Sequence, residues 1–175
     1  MTAPTGPDGL LSVAEYLTAT DVMVSAVDPD APGAPRVSFP VPDGWQQLDR
    51  TMFPGTSGVW ATTPEDGWAD NAVLMIAHFS KPVDPETLLA CGFTDARRLP
   101  EWHELDTHIG EFDGYPSSAI TGTYAVPPLT LWAYNRYLIV SANDDQYLVQ
   151  LTVTVRTDRD GSAASDIVAG LSVTV

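Results

Sequence analysis

Basic residues are scarce in this sequence, which has 8 lysines and arginines against 23 aspartates and glutamates and a formal net charge of −15. Nucleic-acid binding depends on Lys and Arg to neutralise phosphates, and anionic membranes recruit basic clusters. The shortage therefore argues against a nucleic-acid partner and against docking on a membrane by charge. The acidic residues are scattered without a run of five, so they favour solubility over an acidic patch built for a basic partner.

Cysteine is almost absent, because Cys91 is the only one and no internal disulfide can form. Cys91 falls at the predicted C-terminal end of an apolar helix, where the helix dipole opposes a thiolate, so we expect a buried and unreactive thiol. No apolar run approaches ~18 residues, which argues against a transmembrane segment. Residues 1–9 contain neither a basic residue nor an apolar stretch. No signal peptide is therefore predicted, and a cytoplasmic location is expected.

Motifs for catalysis and for cofactor binding are missing as well. The sequence has no nucleophile elbow, phosphate-binding glycine loop or dinucleotide fingerprint. His78, His103 and His108 lack the spacing of a metal site, which favours structural roles over those of a zinc ligand or a general base. Asp158 and Asp160 match only a fragment of a calcium loop, whose first and last positions would here lack carboxylates. We therefore predict a protein that is not an enzyme and that uses no metal or cofactor.

The last third of the chain carries the clearest structural pattern. In Gln146–Arg156 apolar residues alternate with polar ones, which is typical of a strand with one buried face. Leu131–Ser141 is apolar on both sides and is expected in the middle of a sheet. Together with Tyr115–Val126, these segments predict three successive antiparallel strands. The last two are expected to be joined by a turn at 143–145.

The rest of the sequence predicts shorter elements, both helices and strands. Capping and proline signals predict three helices, at 12–19, at 85–90 and from Ser162 or Ser165 onward. Other expected elements are a brief edge strand near 36–39, a strand opening at Trp45, and strands over 58–62, over 71–80 and within 101–112. The prediction is one α+β domain over 11–175 after a flexible tail at 1–10. Its centre is a twisted antiparallel sheet of about six strands flanked by helices.

Aromatic residues are the remaining sign of a functional surface. Trp68 and Trp102 lie in polar segments, where an indole can cover the edge of a core or line a binding site. Trp132 lies in a predicted strand, where a core position is the default interpretation, and Tyr134 belongs to the same strand. We select these four residues as candidates for binding a ligand or a partner, and we expect truncation of Trp68 or Trp102 to weaken binding with little loss of stability.

Several segments resemble the LpqN/LpqT-type lipoproteins of mycobacteria and their relatives. They are the proline-rich stretch from Ala31 to Trp45 with its "PVPDGW" ending, Val83-Asp84-Pro85, Leu99-Pro100 and the strand Tyr147–Leu151. The resemblance implies a PsbP-like fold, an antiparallel sheet sandwiched by helices. It also implies a role in handling envelope glycolipids or partner proteins rather than catalysis. Most members are exported lipoproteins, but this sequence shows no signal peptide and no lipid-anchor cysteine.

The leading functional hypothesis is therefore a non-catalytic binding or adaptor protein. Its partner would be another protein or an apolar or glycolipid-like small molecule. One alternative is a lipid or acyl-chain carrier, which needs an apolar cavity of ~300 Å³ or more. A second alternative is a hydrolase that uses one of the three histidines as its base. An exposed edge strand could also support a homodimer.

Overall fold

The computed structural model describes residues 10–175, so the predicted tail lies almost wholly outside the described residues. These residues form ten strands and three α-helices. The strands are β1 (Val24–Ala26), β2 (Arg36–Ser38), β3 (Gln46–Gln47), β4 (Gly58–Ala61), β5 (Asn71–Phe79), β6 (His103–Phe112), β7 (Tyr115–Val126), β8 (Leu129–Ala142), β9 (Asp145–Arg156) and β10 (Ser172–Thr174). The helices are α1 (Val13–Ala19), α2 (Pro85–Arg97) and α3 (Ser162–Ala169), and a 3₁₀ turn spans Arg50–Met52. Along the chain α1 lies before the first strand, α2 between β5 and β6, and α3 between β9 and β10.

Eight of the strands form one antiparallel sheet in the order β3-β4-β5-β9-β8-β7-β6, with β1 pairing beside β4 along the same edge of β5. The position of β8 between β7 and β9 confirms the central strand that the sequence predicts. The α+β class and the large antiparallel sheet with flanking helices are also confirmed. The strand expected to open at Trp45 forms as β3, which has two residues. The sheet exceeds the expected six strands in part because β1 was not predicted, since its three residues are too few to show a period of two.

β2 and β10 pair with each other in a separate two-stranded sheet. The brief edge strand predicted near 36–39 therefore exists as β2, but it does not join the main sheet. Its partner β10 follows α3 at the end of the chain. This long-range pairing connects the proline-rich segment to the C-terminus. The sequence pattern gave no sign of β10, which has three residues.

The hairpin between β8 and β9 is tighter than expected. Ala142 pairs with Asp145, which leaves a two-residue turn of Asn143 and Asp144. Both turn residues have positive φ, at 51° and 68°. Asn and Asp tolerate this left-handed conformation, and two such residues match the twist of a hairpin. The predicted three-residue turn was therefore one residue too long.

The two faces of the sheet carry different helices. α1 and α2 pack on one face, over a core that includes Phe79, Tyr137 and Leu148. α3 packs on the other face, over a core that includes Leu151 and Val153. We refer to these as the helix-pair face and the α3 face. The small β2–β10 sheet extends the cover of the α3 face through side chains such as Val37 and Val173.

The first helix begins as predicted. Ser12 Oγ accepts the backbone N–H of Glu15 at 3.2 Å, and Glu15 Oε2 accepts the backbone N–H of Ser12 at 2.7 Å. These reciprocal bonds satisfy two amides that the first turn leaves without helical partners. The capping box is therefore confirmed. Glu15 also forms an ion pair with Arg98, which connects the start of α1 to the end of α2.

The other two helices differ from the prediction. α2 continues to Arg97, seven residues past the expected end at Ala90, because Gly92 does not end the helix. A Cβ at Gly92 would lie 2.8 Å from the ring of Tyr137, so this glycine lets the helix approach β8 closely. α3 begins after Gly161, without a side-chain cap from either predicted serine. Asp160 instead accepts the backbone N–H of Ser162 at 2.9 Å.

Candidate functional site

Strand β8 presents three large side chains in a row on the α3 face. Trp132, Tyr134 and Arg136 are two residues apart, and the period of two places them on the same side of the sheet. Trp132 and Tyr134 stack with ring centroids 6.4 Å apart and planes inclined by 7°. Tyr134 is only 4% exposed, whereas Trp132 is half-buried. The pair therefore forms a flat aromatic floor of which Trp132 is the accessible part.

An open cleft, which we call the α3 cleft, lies between this aromatic floor and α3. It has two adjoining lobes, of about 380 and 460 Å³, that share Trp132 and Ser165. Val168 of α3 lines the first lobe, and Asp106 and His108 of β6 also contribute to its lining. Apolar walls with a few polar groups are typical of small-molecule sites. The α3 cleft thus joins residues from β6, β8 and α3 that are far apart in the sequence.

Arg136 supplies the positive charge of the first lobe. Its Nε donates to the Tyr134 hydroxyl at 2.5 Å, and a terminal nitrogen donates to Ser117 Oγ at 2.8 Å. The guanidinium also lies 4.3 Å from the ring centroid of Phe112. Among the described residues Arg136 forms no ion pair with a carboxylate. A half-buried cation held only by neutral groups is unusual in so acidic a chain, and it leaves charge available to a ligand.

Burial of Tyr134 raises the pKa of its hydroxyl, and the hydrogen bond from Arg136 opposes this rise. The net increase keeps the phenol protonated at neutral pH. Tyr134 is therefore a neutral acceptor for Arg136 and does not cancel its charge. The Arg136 guanidinium therefore keeps its charge at the aromatic floor, and Asp106 is the acidic side chain that lines the same lobe.

The cations of the second lobe are neutralised by neighbouring acids. Arg156 donates to Asp158 at 2.7 Å and to Asp66 at 3.2 Å. Arg159 donates to Glu65 at 2.7 Å. The bond from Arg156 is the largest cause of the lowered pKa of Asp158. These pairs connect the loop before β5 to the segment before α3. We therefore assign them a structural role.

The four residues selected from the sequence occupy three places. The structure brings Trp132 and Tyr134 together in the α3 cleft. Trp68 lies in the loop between β4 and β5, where its backbone pairs with Glu65. Trp102 precedes β6 and occupies the space above Gly122, where an added Cβ would lie 2.3 Å from its ring. Trp68 and Trp102 therefore do not line the α3 cleft.

The three histidines do not converge either. His78 is on β5, and its Nε2 lies 2.9 Å from Asp145 Oδ1. His103 and His108 are on β6, which β9, β8 and β7 separate from β5. Within residues 10–175 no group of three or more His, Cys, Asp or Glu side chains could hold a metal ion.

Cys91 differs from the prediction in its place along the helix. It lies in the middle of α2 rather than at its C-terminal end, and its Sγ contacts the carbonyl oxygen of Thr87 at 3.2 Å. The thiol is buried, and burial is the largest cause of its raised pKa. A raised pKa lowers the thiolate fraction at neutral pH. The expected buried state is therefore found, although the helix C-terminus is not its cause.

Arg136 is the functional candidate that sequence reasoning missed. It is the only charged residue of β8, and this single charge in a central strand was the available signal. A charged residue in such a strand is rarely buried without a reason. Its surroundings, including Ser117 and Phe112, come from β7 and the end of β6 and could not be read from spacing alone.

Comparisons with known proteins place this chain beside mycobacterial lipoproteins. A family model described as "Probable lipoprotein LpqN" matches residues 10–174. The proline-rich 28 kDa antigen homolog of Mycobacterium leprae is 31% identical over 93% of this chain and 60% of its own length. The putative lipoprotein LpqT of Mycobacterium tuberculosis is 30% identical over 89% of this chain and 69% of its own. This chain thus spans little more than half the length of several relatives, and 53% of the M. tuberculosis proline-rich antigen.

A solved structure supports the fold. The crystal structure of LpqN from M. tuberculosis superposes with a TM-score of 0.82 at 19% sequence identity. The alignment covers 97% of this chain and all of that one. At this identity the match concerns the fold. In addition, no α-helix among residues 10–175 has the length and hydropathy that crossing a bilayer requires.

Proposed function

This chain belongs to the probable lipoprotein LpqN family, and from that membership we propose that it is a non-catalytic binding protein with a role in the cell envelope. The cytoplasmic location expected from the sequence stays a prediction. The solved LpqN is described as involved in cell envelope biogenesis of M. tuberculosis. We extend that process to this chain and place its ligand in the α3 cleft. The observation that carries the proposal is Arg136, a cation without a carboxylate partner beside the stacked Trp132 and Tyr134.

The ligand class that suits this arrangement is a glycolipid. A sugar ring can lie against the accessible face of Trp132, because its C–H groups are apolar and its hydroxyls point outward. Arg136 then offers donors to hydroxyl or acidic oxygens of the head group. Apolar side chains of α3, such as Val168, can contact the start of an acyl chain. Both lobes exceed the ~300 Å³ that a carrier would need, but they are open clefts, which favours head-group binding over enclosure of a chain.

Titration calorimetry with two detergents tests this proposal. Dodecyl maltoside, kept below its critical micelle concentration, supplies a sugar head group, and dodecyl dimethylamine oxide has the same tail without a sugar. We expect the maltoside to bind at least ten times more tightly. Trp132→Ala and Arg136→Gln should each raise its Kd at least tenfold, since both remove contacts at the centre of the site.

Trp102→Ala is the matched control, because it removes an indole outside the α3 cleft. The proposal predicts an unchanged Kd for this variant and for Trp68→Ala. Equal binding of both detergents would exclude a sugar site. A loss of affinity in Trp102→Ala as large as that in Trp132→Ala would instead favour the original four-residue surface.

A protein partner is the second candidate, and the edge strand β6 favours it. β6 has ten residues and pairs on one side only, with β7, among the described residues. Leu105 and Ile109 on this strand are 54% and 52% exposed. Such an edge can pair with another strand, including that of a second copy. Sedimentation equilibrium tests the homodimer: a dimer that Ile109→Lys dissociates would support it, and a monomer at all concentrations would exclude it.

A further inference from the structure

The helix-pair face carries a second concave site, which we call the helix-pair groove. It has a volume of about 440 Å³ and lies where α1 and the end of α2 leave the sheet uncovered. Its polar floor consists of Asn135 and Tyr137 from β8, Gln150 and Thr152 from β9, and Asp95 from α2. Its apolar lining includes Val13, Leu17, Met75 and Leu99. The groove is separate from the α3 cleft, because the sheet lies between them.

A directional chain of hydrogen bonds organises the floor. Gln150 Nε2 donates to the Tyr137 hydroxyl at 3.1 Å, and this hydroxyl donates to Asp95 Oδ2 at 3.3 Å. Gln150 Nε2 also approaches Thr152 Oγ1 at 3.4 Å, and Thr152 donates to Asn135 Oδ1 at 2.5 Å. All the donors therefore point away from Gln150. Three groups have no described partner: Asp95 Oδ1, Gln150 Oε1 and Asn135 Nδ2, the last on a side chain only 8% exposed.

Asp95 is the half-buried carboxylate of the groove. It forms no ion pair among the described residues, and its Oδ2 accepts only the Tyr137 hydroxyl and the backbone N–H of Val13, at 3.4 Å. The charged groups that face it from its neighbours are Glu15 of α1 and Arg98 after α2, and these two pair with each other at 3.0 Å. Burial is the largest cause of the raised pKa of Asp95, and the charge of Arg98 opposes this rise. A half-buried carboxylate that forms no ion pair is costly, so a positively charged ligand would stabilise it.

We propose that the helix-pair groove binds a small ligand with a primary ammonium group on an apolar chain. The ammonium lies between Asp95 and Gln150, whose side chains both bond to the Tyr137 hydroxyl and so lie around one point. A primary ammonium has three donors, which match Asp95 Oδ1 and Gln150 Oε1 and leave one for water. The apolar chain packs against Leu17 and Leu99. The net charge of −15 further favours a cation over an anion.

The test uses hexylammonium and, as its neutral counterpart of equal length, hexanol. Binding is followed by the side-chain amide NMR signals of Asn135 and Gln150 in the full chain at pH 7. We expect hexylammonium to shift these signals and to bind at least ten times more tightly than hexanol. Asp95→Asn should weaken hexylammonium binding at least tenfold, because the amide keeps an acceptor for Val13 but removes the charge.

The matched control is Asp166→Asn, which removes one charge from the exposed side of α3 on the opposite face. It should leave the Kd unchanged. If Asp95→Asn does not fold, Gln150→Leu decides, since it removes the second acceptor and should weaken hexylammonium binding several-fold. Equal affinity for hexanol, equal weakening by Asp166→Asn, or no effect of either groove variant would overturn the proposal.

Discussion

The two faces of the sheet take side chains from alternate positions of one four-residue stretch of β8 and build sites of opposite charge with them. Tyr134 and Arg136 point to the α3 face, whereas Asn135 and Tyr137 point to the helix-pair face. The α3 cleft has an unpaired cation over aromatic rings, and the helix-pair groove has an unpaired carboxylate in a polar chain. A central strand with two buried faces can therefore serve two sites of opposite charge without any extra segment.

The faces also differ in how their helices are held. α3 lies over a wide apolar core through Ala164 and Ile167, and its N-cap residue, Gly161, has no side chain to cap the first turn. α1 has a smaller apolar stripe but is fixed by its capping box and by the ion pair of Glu15 with Arg98. We therefore expect core truncation to affect the α3 face more, and a change of pH to affect the attachment of α1 more.

Neighbouring residues of β9 provide the test with the largest expected effect. Leu151 is fully buried in the core of the α3 face, and Thr152 points to the helix-pair groove. Leu151→Ala should lower the free energy of unfolding by about 2–5 kcal/mol, because it leaves a cavity. Thr152→Ala should cost about 1 kcal/mol, through the lost bond to Asn135. Urea denaturation measures both, and equal losses would contradict the contrast between core and groove.

Alanine substitutions at two glycines test how tightly the two faces are packed at their margins. A Cβ at Gly122 would lie 2.3 Å from the ring of Trp102 and 2.6 Å from the carbonyl oxygen of His103. A Cβ at Gly110 would meet only the ring of His108, at 3.2 Å. Gly122→Ala should therefore destabilise by about 1–3 kcal/mol.

Gly110→Ala is the matched substitution on the same hairpin, and we expect its effect to stay within about 0.5 kcal/mol. Thermal unfolding of both variants distinguishes them. Similar melting temperatures would mean that Trp102 moves freely away from Gly122. In that case Trp102 would not be a fixed cover over Gly122 of β7.

The attachment of α1 should weaken at low pH. The hydrogen bond from Arg98 is the largest cause that lowers the pKa of Glu15 from 4.5 to about 2. Since the folded pKa lies below the unfolded one, this stabilisation is complete above pH 4.5 and is lost as the pH falls through about 2. The stability difference between the wild-type chain and Glu15→Gln should follow the same course. Denaturation at several pH values measures it, and a difference independent of pH would exclude the mechanism.

The contribution of Asp95 to stability should depend on pH with the opposite sign, and we expect this effect to be the smallest. Its folded pKa is raised, chiefly by burial, so its charged form destabilises the fold at neutral pH and this penalty fades as the pH falls through the raised value. Asp95→Asn should therefore match or exceed the wild-type stability at pH 7. A clear loss would show that the carboxylate itself, rather than an oxygen acceptor, is needed by Val13 and Tyr137.

Local signals in the sequence were sufficient for much of the fold. The capping box of Ser12 and the period of two in β9 each depend on neighbouring residues, and both predictions are confirmed. The predicted end of α2 was wrong because Gly92 does not end the helix. This glycine makes room for the ring of Tyr137, which is 45 positions away. The two-residue turn was missed by one residue because pairing of Ala142 with Asp145 decides the register. Errors thus arose where a distant partner overrides a local preference.

The sequence by itself determined the fold class and the central strands, because hydrophobic periodicity and helix capping are properties of adjacent residues. The family followed from the resemblance of whole segments, such as the proline-rich stretch from Ala31 to Trp45. The sequence also marked Trp132 and Tyr134 as candidates for binding. Only the tertiary structure decided that they stack beside Arg136 under α3, and that Asp95 meets Tyr137 and Gln150 on the other side. These sites join strands and helices through side-chain contacts at long sequence separation. Without the contacts, neither the unpaired cation nor the unpaired carboxylate can be recognised, because pairing is a property of space rather than of sequence order.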